Sequence, residues 1–208
     1  MKSVFWKYAA IASLSMSTTA FAQDASWKTQ GVSKDEVVLG MHADLSGVAA
    51  TFSVGVVNSF RLKIDEANEA GGINGRKVRL VVEDTNYQIP KAVQAANKLI
   101  NRDHVFAMIG NLGTPQNNAV LPAQLKAHVP NVFPISWAES MSQPFDPLKF
   151  AIYAPYSDQI RFGVRYMVKQ KGKKTICAMH QDTDFGIEVF NGAKKELDEL
   201  GLKFAEVT

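Results

Sequence analysis

Three short segments of the sequence combine hydroxyl, amide and aromatic side chains with small residues. They are residues 42–52, 110–115 and 134–137, and each follows an apolar run that is typical of a strand. Small residues let a ligand approach the backbone, whose N–H groups at helix starts attract anions such as a carboxylate. Phe52 and Trp137 would supply apolar walls. Any one segment fits ordinary loop chemistry, but the three together predict a small-molecule pocket.

Signals of catalysis are weak in the same sequence. Asp44 could act as a base, but carboxylates at strand ends are commonly solvated or capping. The histidines are scattered and lack the spacing of metal ligands, and no phosphate-binding glycine loop or nucleophile-elbow motif is present. We therefore predict a binding protein with no catalytic residue, no metal site and no cofactor. An exported α/β enzyme that uses Asp44 or a histidine as its base is the alternative.

The three segments can form one site only if the fold brings the ends of their strands together. The order of strand-like and helix-like apolar patterns along the sequence predicts such a fold. Helical spacings of three and four residues separate the strand-like runs, and one such helix is predicted near residues 117–127. This alternation predicts βαβ units and a mainly parallel sheet covered on both faces. Ligands of such sheets bind beyond the carboxyl ends of the strands. The predicted strands are residues 36–41, 77–83, 105–109 and 131–133.

Turn-forming residues between 140 and 149 predict a crossing into a second lobe. The predicted division is a leader at residues 1–22, a first lobe at 23–145 and part of a second lobe at 146–208. Past the crossing, the pattern gives two helices and about two strands. We expect this second lobe to be incomplete, which would weaken binding of a ligand enclosed between two lobes. Its unpaired strand edges would favour aggregation.

The first 22 residues indicate export. Lys2 and Lys7 flank the start of an apolar stretch, and Ala20-Phe21-Ala22 matches a signal-peptide cleavage site. The stretch is shorter than the roughly 20 residues of a membrane-spanning helix. We therefore predict a periplasmic, monomeric protein that is cleaved near Ala22.

Charge and cysteine content narrow the functional class further. The sequence has 23 Lys and Arg against 20 Asp and Glu, and two of those lysines lie in the predicted leader. The remaining charge is close to zero, which argues against nucleic acid as a partner. The single Cys177 cannot form an internal disulfide. Residues 174–179 predict a buried strand in which Cys177 is a small core residue.

Several motifs resemble one family of transport proteins. Asp44-Leu-Ser-Gly47, Ile109-Gly-Asn-Leu-Gly-Thr114 and, most specifically, Glu69-Ala-Gly-Gly-Ile-Asn-Gly75 are similar to segments of periplasmic branched-chain amino acid (leucine/isoleucine/valine) type binding proteins. These are the solute receptors of ABC importers, and the resemblance runs from about residue 37 to residue 208. It implies the α/β fold of the type I periplasmic binding proteins, with two Rossmann-like lobes of which the second is incomplete here. It also implies the membrane subunits of an ABC importer as partners.

The resemblance also implies ligand contacts. Phe52 and Phe185 match aromatic positions of the two lobes, and Thr114 lies near a hydroxyl position that holds the ligand carboxylate. Ser136 and Trp137 match the next carboxylate-binding loop. The implied ligand-binding residues are Phe52, Asn111, Gly113, Thr114, Ser136, Trp137 and Phe185.

Two departures from the family pattern leave the ligand open. Pro115 stands where the family has a hydroxyl-rich run, and Trp137 is bulkier than the usual residue at its position. The implied ligand is a small carboxylate, either a branched-chain amino acid or an aromatic acid. The family's carboxylate for a ligand ammonium would lie beyond Thr208. A ligand-sensing domain of a receptor, which uses the same clamshell without delivering cargo, is a further alternative.

Overall fold

The computed structural model describes residues 29–208, so the predicted leader at residues 1–22 lies outside the described part of the chain. Strands and helices alternate through the described part, as predicted. The strands are β1 (Glu36–Ala43), β2 (Lys77–Asp84), β3 (Ala107–Ile109), β4 (Asn131–Val132), β5 (Lys149–Phe150), β6 (Cys177–Ala178) and β7 (Glu206–Val207). The α-helices are α1 (Ala50–Glu69), α2 (Ile89–Asn101), α3 (Thr114–Lys126), α4 (Tyr156–Lys169) and α5 (Asp184–Glu199).

The first five strands form one sheet in the order β2-β1-β3-β4-β5. Every pairing in it is parallel, and β1 and β2 stay in register from Glu36 opposite Lys77 to Ala43 opposite Asp84. Because these strands run the same way, their carboxyl ends meet at one edge of the sheet. The last two strands, β6 and β7, form a separate parallel pair.

Helix α2 supplies the main apolar face against the larger sheet. Its residues Ala92, Ala96 and Leu99 recur at the three- and four-residue spacing of a helix. They are buried together with Val38 of β1 and Met108 of β3. This core fixes the helix and the two central strands relative to each other, and with them the edge where the strands end.

Two elements differ from their predicted bounds. Helix α3 begins at Thr114 and not near residue 117, because Gly113 at φ 97° turns the chain from the β3 loop directly into the helix. Pro115 lies in the first turn, where a backbone N–H has no intrahelical partner to lose. Strand β5 pairs with β4, so residues 149 and 150 join the first sheet, past the predicted division after residue 145. The division into lobes itself stays a prediction.

Helices α4 and α5 pack on each other over a smaller apolar core. Val164, Ala193 and Leu197 are buried there, and Ile176 packs against them. Cys177 is exposed, so the prediction of a buried core cysteine is wrong. Side chains alternate along a strand, and since Ile176 faces the core, its neighbour Cys177 faces the other way.

Polar contacts join α4 and α5 to the larger sheet. The side-chain amide of Asn118 in α3 donates to the carboxylate of Asp184 at 2.7 Å. The backbone N–H of Tyr156 donates to the carbonyl of Trp137 at 2.8 Å. These bonds hold the first turns of α4 and α5 beside the loop that follows β4. Within residues 29–208, none of the helices is long and apolar enough to cross a membrane.

Candidate functional site

A cleft of about 190 Å³ lies at the carboxyl ends of the central strands, where the loops after β3 and β4 face the starts of α4 and α5. Most of the residues predicted to contact a ligand converge there, although they are far apart in sequence. Phe52, Gly113, Thr114, Trp137 and Phe185 all line it. The full lining is Phe52, Tyr87, Leu112, Gly113, Thr114, Ile135, Trp137, Tyr156 and Phe185.

Other hollows on the surface are larger but lie elsewhere. One of about 460 Å³ runs between α4 and α5, one of about 390 Å³ lies on their apolar side near β6, and one of about 480 Å³ lies beside β2 and α2. None of these three hollows is lined by a residue predicted to contact a ligand. Among these four hollows of residues 29–208, the cleft of about 190 Å³ is the one that combines strand ends, a helix start and the converging predicted residues. Ligands of parallel α/β sheets bind at such positions, and we therefore take it as the candidate site.

Backbone hydrogen bonds tie together the loops after β3 and β4. The N–H of Ile135 donates to the carbonyl of Asn111 at 2.9 Å, and the N–H of Gly113 donates to the carbonyl of Ile135 at 3.2 Å. Leu112 also donates its N–H to the carbonyl of His42 at 3.1 Å. The two loops therefore extend the parallel pairing beyond the strands and hold the residues that follow them at a fixed spacing.

A pair of hydroxyl groups lies at the end of these loops. The side-chain oxygens of Thr114 and Ser136 are 2.7 Å apart, and both residues are buried. Thr114 lines the cleft, and Ser136 stands directly behind it. Thr114 is also the first residue of α3, where backbone N–H groups lack intrahelical partners and the helix dipole is positive. When Ser136 donates to Thr114, the hydroxyl of Thr114 can donate one hydrogen bond to an anion in the cleft, and the helix start favours such an anion.

Asn111 takes a different position from the other predicted contacts. It is buried and does not line the cleft. Its side-chain oxygen accepts the backbone N–H of His42 at 3.1 Å, and its amide donates to the side chain of Asn131 at 3.2 Å. Asn111 therefore ties β1 and β4 to the loop between them. A contact between Asn111 and a ligand stays a prediction.

Aromatic rings form one wall of the cleft. The ring centroids of Trp137 and Tyr156 are 5.6 Å apart, and those of Tyr156 and Phe185 are 4.9 Å apart in an edge-to-face arrangement. Tyr153 packs on the far side of Trp137 at 4.7 Å. These separations are favourable for aromatic pairs. The indole N–H of Trp137 is buried and finds no hydrogen-bond acceptor within residues 29–208.

Tyr87 belongs to the cleft although the sequence did not indicate it. Its backbone has φ 54°, and its carbonyl accepts a hydrogen bond from the side-chain amide of Gln116 at 2.7 Å. Burial raises the pKa of its phenol, and the nearby Tyr156 and Asp44 raise it further. Tyr87 is therefore a neutral hydrogen-bonding group at neutral pH.

Asp44 has a structural role. Its carboxylate is buried and accepts the backbone N–H groups of Gly47 at 2.6 Å, Ala49 at 2.7 Å and Ser46 at 3.3 Å. These bonds shape the turn between β1 and α1, which leads to Phe52. The geometry gives no support to the alternative in which Asp44 is a catalytic base. Among residues 29–208, no three His, Cys, Asp or Glu side chains are grouped as metal ligands would be.

The family model described as "Periplasmic binding protein" matches residues 36–208. The chain belongs to the periplasmic binding protein family. The resemblance noted in the sequence and the α/β type I fold are thereby confirmed, and members of this family are binding proteins.

Individual members of the periplasmic binding protein family show how far the likeness extends. The Leu/Ile/Val-binding protein homolog 2 of Brucella abortus is 24% identical and aligns with 83% of this chain and 46% of its own. A substrate-binding periplasmic protein from Ralstonia solanacearum has 28% identity and a TM-score of 0.76, covering 83% of this chain and 48% of that one. A fatty acid ABC transporter substrate-binding protein from Thermomonospora curvata has 26% identity and a TM-score of 0.78, covering 86% and 45%. The chain spans about half the length of the relatives it matches.

Proposed function

We propose that the protein is the extracytoplasmic substrate-binding component of an ABC transporter and captures a small carboxylate, such as a branched-chain amino acid or an aromatic acid. The observation that carries the proposal is the buried hydroxyl pair of Thr114 and Ser136 beside an aromatic cleft at the strand ends. Membership of a family of binding proteins supports it, as do relatives named for leucine, isoleucine and valine.

The cleft offers each part of such a ligand a matching surface. The hydroxyl of Thr114, supported by Ser136, and the first turn of α3 would hold the carboxylate, because hydroxyl and backbone N–H donors bind anions strongly. Phe52, Trp137 and Phe185 would cover the apolar part. Gly113 lets the side chains of Gln116 and Tyr87 pack against the backbone of this loop, since a side chain at Gly113 would meet both.

The protein would be exported, cleaved near Ala22 and monomeric in the periplasm, and it would deliver its ligand to the membrane subunits of the importer.

Calorimetric titration of the purified protein with branched-chain amino acids and aromatic acids tests ligand capture. Saturable binding of at least one class is the expected result, and no binding across the whole panel would refute the proposal.

Removing the hydroxyl of Thr114 should weaken carboxylate binding. Thr114→Val keeps the shape of the side chain but loses the donor and leaves the Ser136 hydroxyl without its partner. A hydrogen bond to a charged group contributes about 1.5 to 3 kcal/mol, so affinity should fall about 10- to 100-fold. Titration of the variant with the tightest ligand of the panel measures the loss.

The matched control is Thr175→Val, which makes the same change at an exposed residue outside the cleft. It should bind like the unmodified protein, and both variants should give the same circular dichroism spectrum. Undiminished binding by Thr114→Val would show that the hydroxyl pair does not hold the ligand.

A further inference from the structure

Two carboxylates on one face of α5 are bonded to α3 and to the segment that follows β4. Asp184 and Glu188 are about one helical turn apart, so their side chains lie on the same face of α5. The carboxylate of Asp184 accepts the side-chain amide of Asn118 at 2.7 Å. The two oxygens of Glu188 accept the backbone N–H of Glu139 at 3.1 and 3.2 Å. Helix α5 is therefore held at two points, which fixes its direction as well as its position.

The two points are also bonded to each other on the side opposite α5. Ser140 follows Glu139 in a short 3-10 helix, and its hydroxyl donates to the side-chain oxygen of Asn118 at 2.7 Å. Met141, the last residue of this 3-10 helix, is fully buried in a cluster with Leu121 of α3. The 3-10 helix and α3 therefore form one support, and the side chain of Asn118 connects that support to α5.

Helices α4 and α5 are joined to each other by a buried ion pair. The side chain of Glu196 in α5 has no exposed surface and accepts two hydrogen bonds from the guanidinium of Arg165 in α4, at 2.6 and 2.8 Å. Separating the two helices would leave the Glu196 charge buried and unpaired, which is costly. A motion that parts α5 from α3 would therefore carry α4 with it, and it would break the bond between the N–H of Tyr156 and the carbonyl of Trp137.

Phe185 lies between the two carboxylates in the sequence and lines the candidate cleft, with its ring centroid 4.9 Å from that of Tyr156. We propose that Asp184 and Glu188 are positioning residues, which form with Asn118 and Ser140 a clasp that holds Phe185 in the cleft wall and sets how often the cleft opens. The proposal goes beyond ligand capture, because it concerns the opening of the cleft and does not depend on the class of ligand.

Hydrogen exchange of single backbone amides, followed by NMR on the purified protein without added ligand, tests the clasp. Asn118→Ala removes the side chain that joins Ser140 to Asp184. It leaves in place the acceptors of two N–H groups that cross to α4 or α5, those of Glu139 and Tyr156. The protection of these two amides should fall about three- to tenfold, because each partly exposed hydrogen bond contributes modestly to the closed arrangement.

Two further amides separate local opening from a general loss of stability. The N–H groups of Phe106 and Met108 donate to neighbouring segments within the five-stranded sheet. Their protection should stay unchanged in Asn118→Ala, because a local opening at the clasp does not reach them. Asn97→Ala is the matched control, since it makes the same change at an exposed residue of α2. It should leave the protection of all these amides unchanged.

Asn118→Asp distinguishes the hydrogen bond from simple packing. Aspartate has nearly the shape of asparagine, but its carboxylate cannot donate to Asp184 and repels it. The protection of the Glu139 and Tyr156 amides should therefore fall at least as far as in Asn118→Ala. If an Asn118 variant does not fold, as judged by circular dichroism, Ser140→Ala gives the same reading through the other bond of the clasp.

The pattern of exchange decides the matter. A fall confined to the amides of Glu139 and Tyr156 would support the clasp. Unchanged protection of those two amides in a folded variant would overturn the proposal. An equal fall at Phe106 and Met108 would overturn it as well, because it would show that the substitution destabilises the whole fold.

Discussion

The buried His42 is expected to lower the free energy of unfolding by about 4 kcal/mol as the pH falls from 6.5 to 3. Both ring nitrogens of His42 lack hydrogen-bond partners within residues 29–208, and the side chain is fully buried. Burial lowers its pKa from 6.5 to about 3. Between these values the unfolded chain binds a proton that the folded protein does not, so stability is present above pH 6.5 and is lost on acidification.

Denaturant unfolding of His42→Leu and the unmodified protein across pH 3 to 7 measures this contribution. Leucine has a similar size and no polar atoms to leave unpaired, so stability at pH 7 should stay within about 1.5 kcal/mol of the unmodified protein. The dependence on pH should become much flatter. Carboxyl groups titrate in the same range in both proteins, and their effect cancels in the comparison.

His104→Asn is the control for a general effect of losing a histidine. His104 is exposed with φ 49°, a conformation that asparagine accepts, so this variant should keep the full loss of stability in acid. A His42→Leu protein that loses as much stability between pH 6.5 and 3 as the unmodified protein would show that His42 is not responsible.

Truncating Leu99 should destabilise the fold by about 3 to 4 kcal/mol. Leu99 has no exposed surface and lies at the centre of the cluster that joins α2 to β1 and β3. Leu99→Ala removes its packing and leaves a cavity that the surrounding sheet cannot fill. Chemical denaturation at pH 7 gives the difference in the free energy of unfolding.

Leu62→Ala makes the identical change on a helix surface, since Leu62 in α1 is 59% exposed. It should alter stability by less than about 0.5 kcal/mol. Equal losses in the two variants would contradict the assignment of Leu99 to a core that positions the strand ends.

The part of the site that could be predicted lies on residues adjacent to strand ends. Gly113, Thr114 and Trp137 follow apolar runs closely, so their position at the carboxyl edge followed from the alternation of strands and helices. Phe52 was predicted as an apolar wall from its segment, whereas Phe185 required the family resemblance. Asn111 shows the limit of that reasoning, because a polar residue at a strand end can serve the neighbouring strands as well as a ligand.

The residues that were missed depend on conformation and on contacts distant in sequence. Tyr87 lies in a loop and has a φ of 54°. The residues around it do not indicate this left-handed conformation, so its position in the cleft could not be predicted from the sequence. Tyr156 is the first residue of α4. Its backbone N–H donates to the carbonyl of Trp137, which lies 19 residues earlier in the sequence, and this bond holds Tyr156 at the cleft. Leu112 and Ile135 line the cleft because their two loops continue the sheet pairing, which apolar periodicity alone does not show.

The short strands explain the wrong prediction for Cys177. β6 has only two residues, so the apolar run around it extends beyond the pairing. A run of apolar residues predicted burial on both faces, but helices α4 and α5 pack on the side that Ile176 faces. The side on which a residue of so short a strand lies is set by tertiary packing and not by its neighbours in sequence.

The constant register between β1 and β2 has a consequence for how the chain folds. Each of the aligned pairs from Glu36–Lys77 to Ala43–Asp84 joins residues about 40 positions apart, with α1 in between. The first pair to form must therefore close a long loop. This closure accounts for nearly all of the entropic cost of pairing β1 with β2. Each later pair adds hydrogen bonds without a further closure. Folding at this edge should therefore be nucleated slowly by a non-local encounter and then completed cooperatively as one unit.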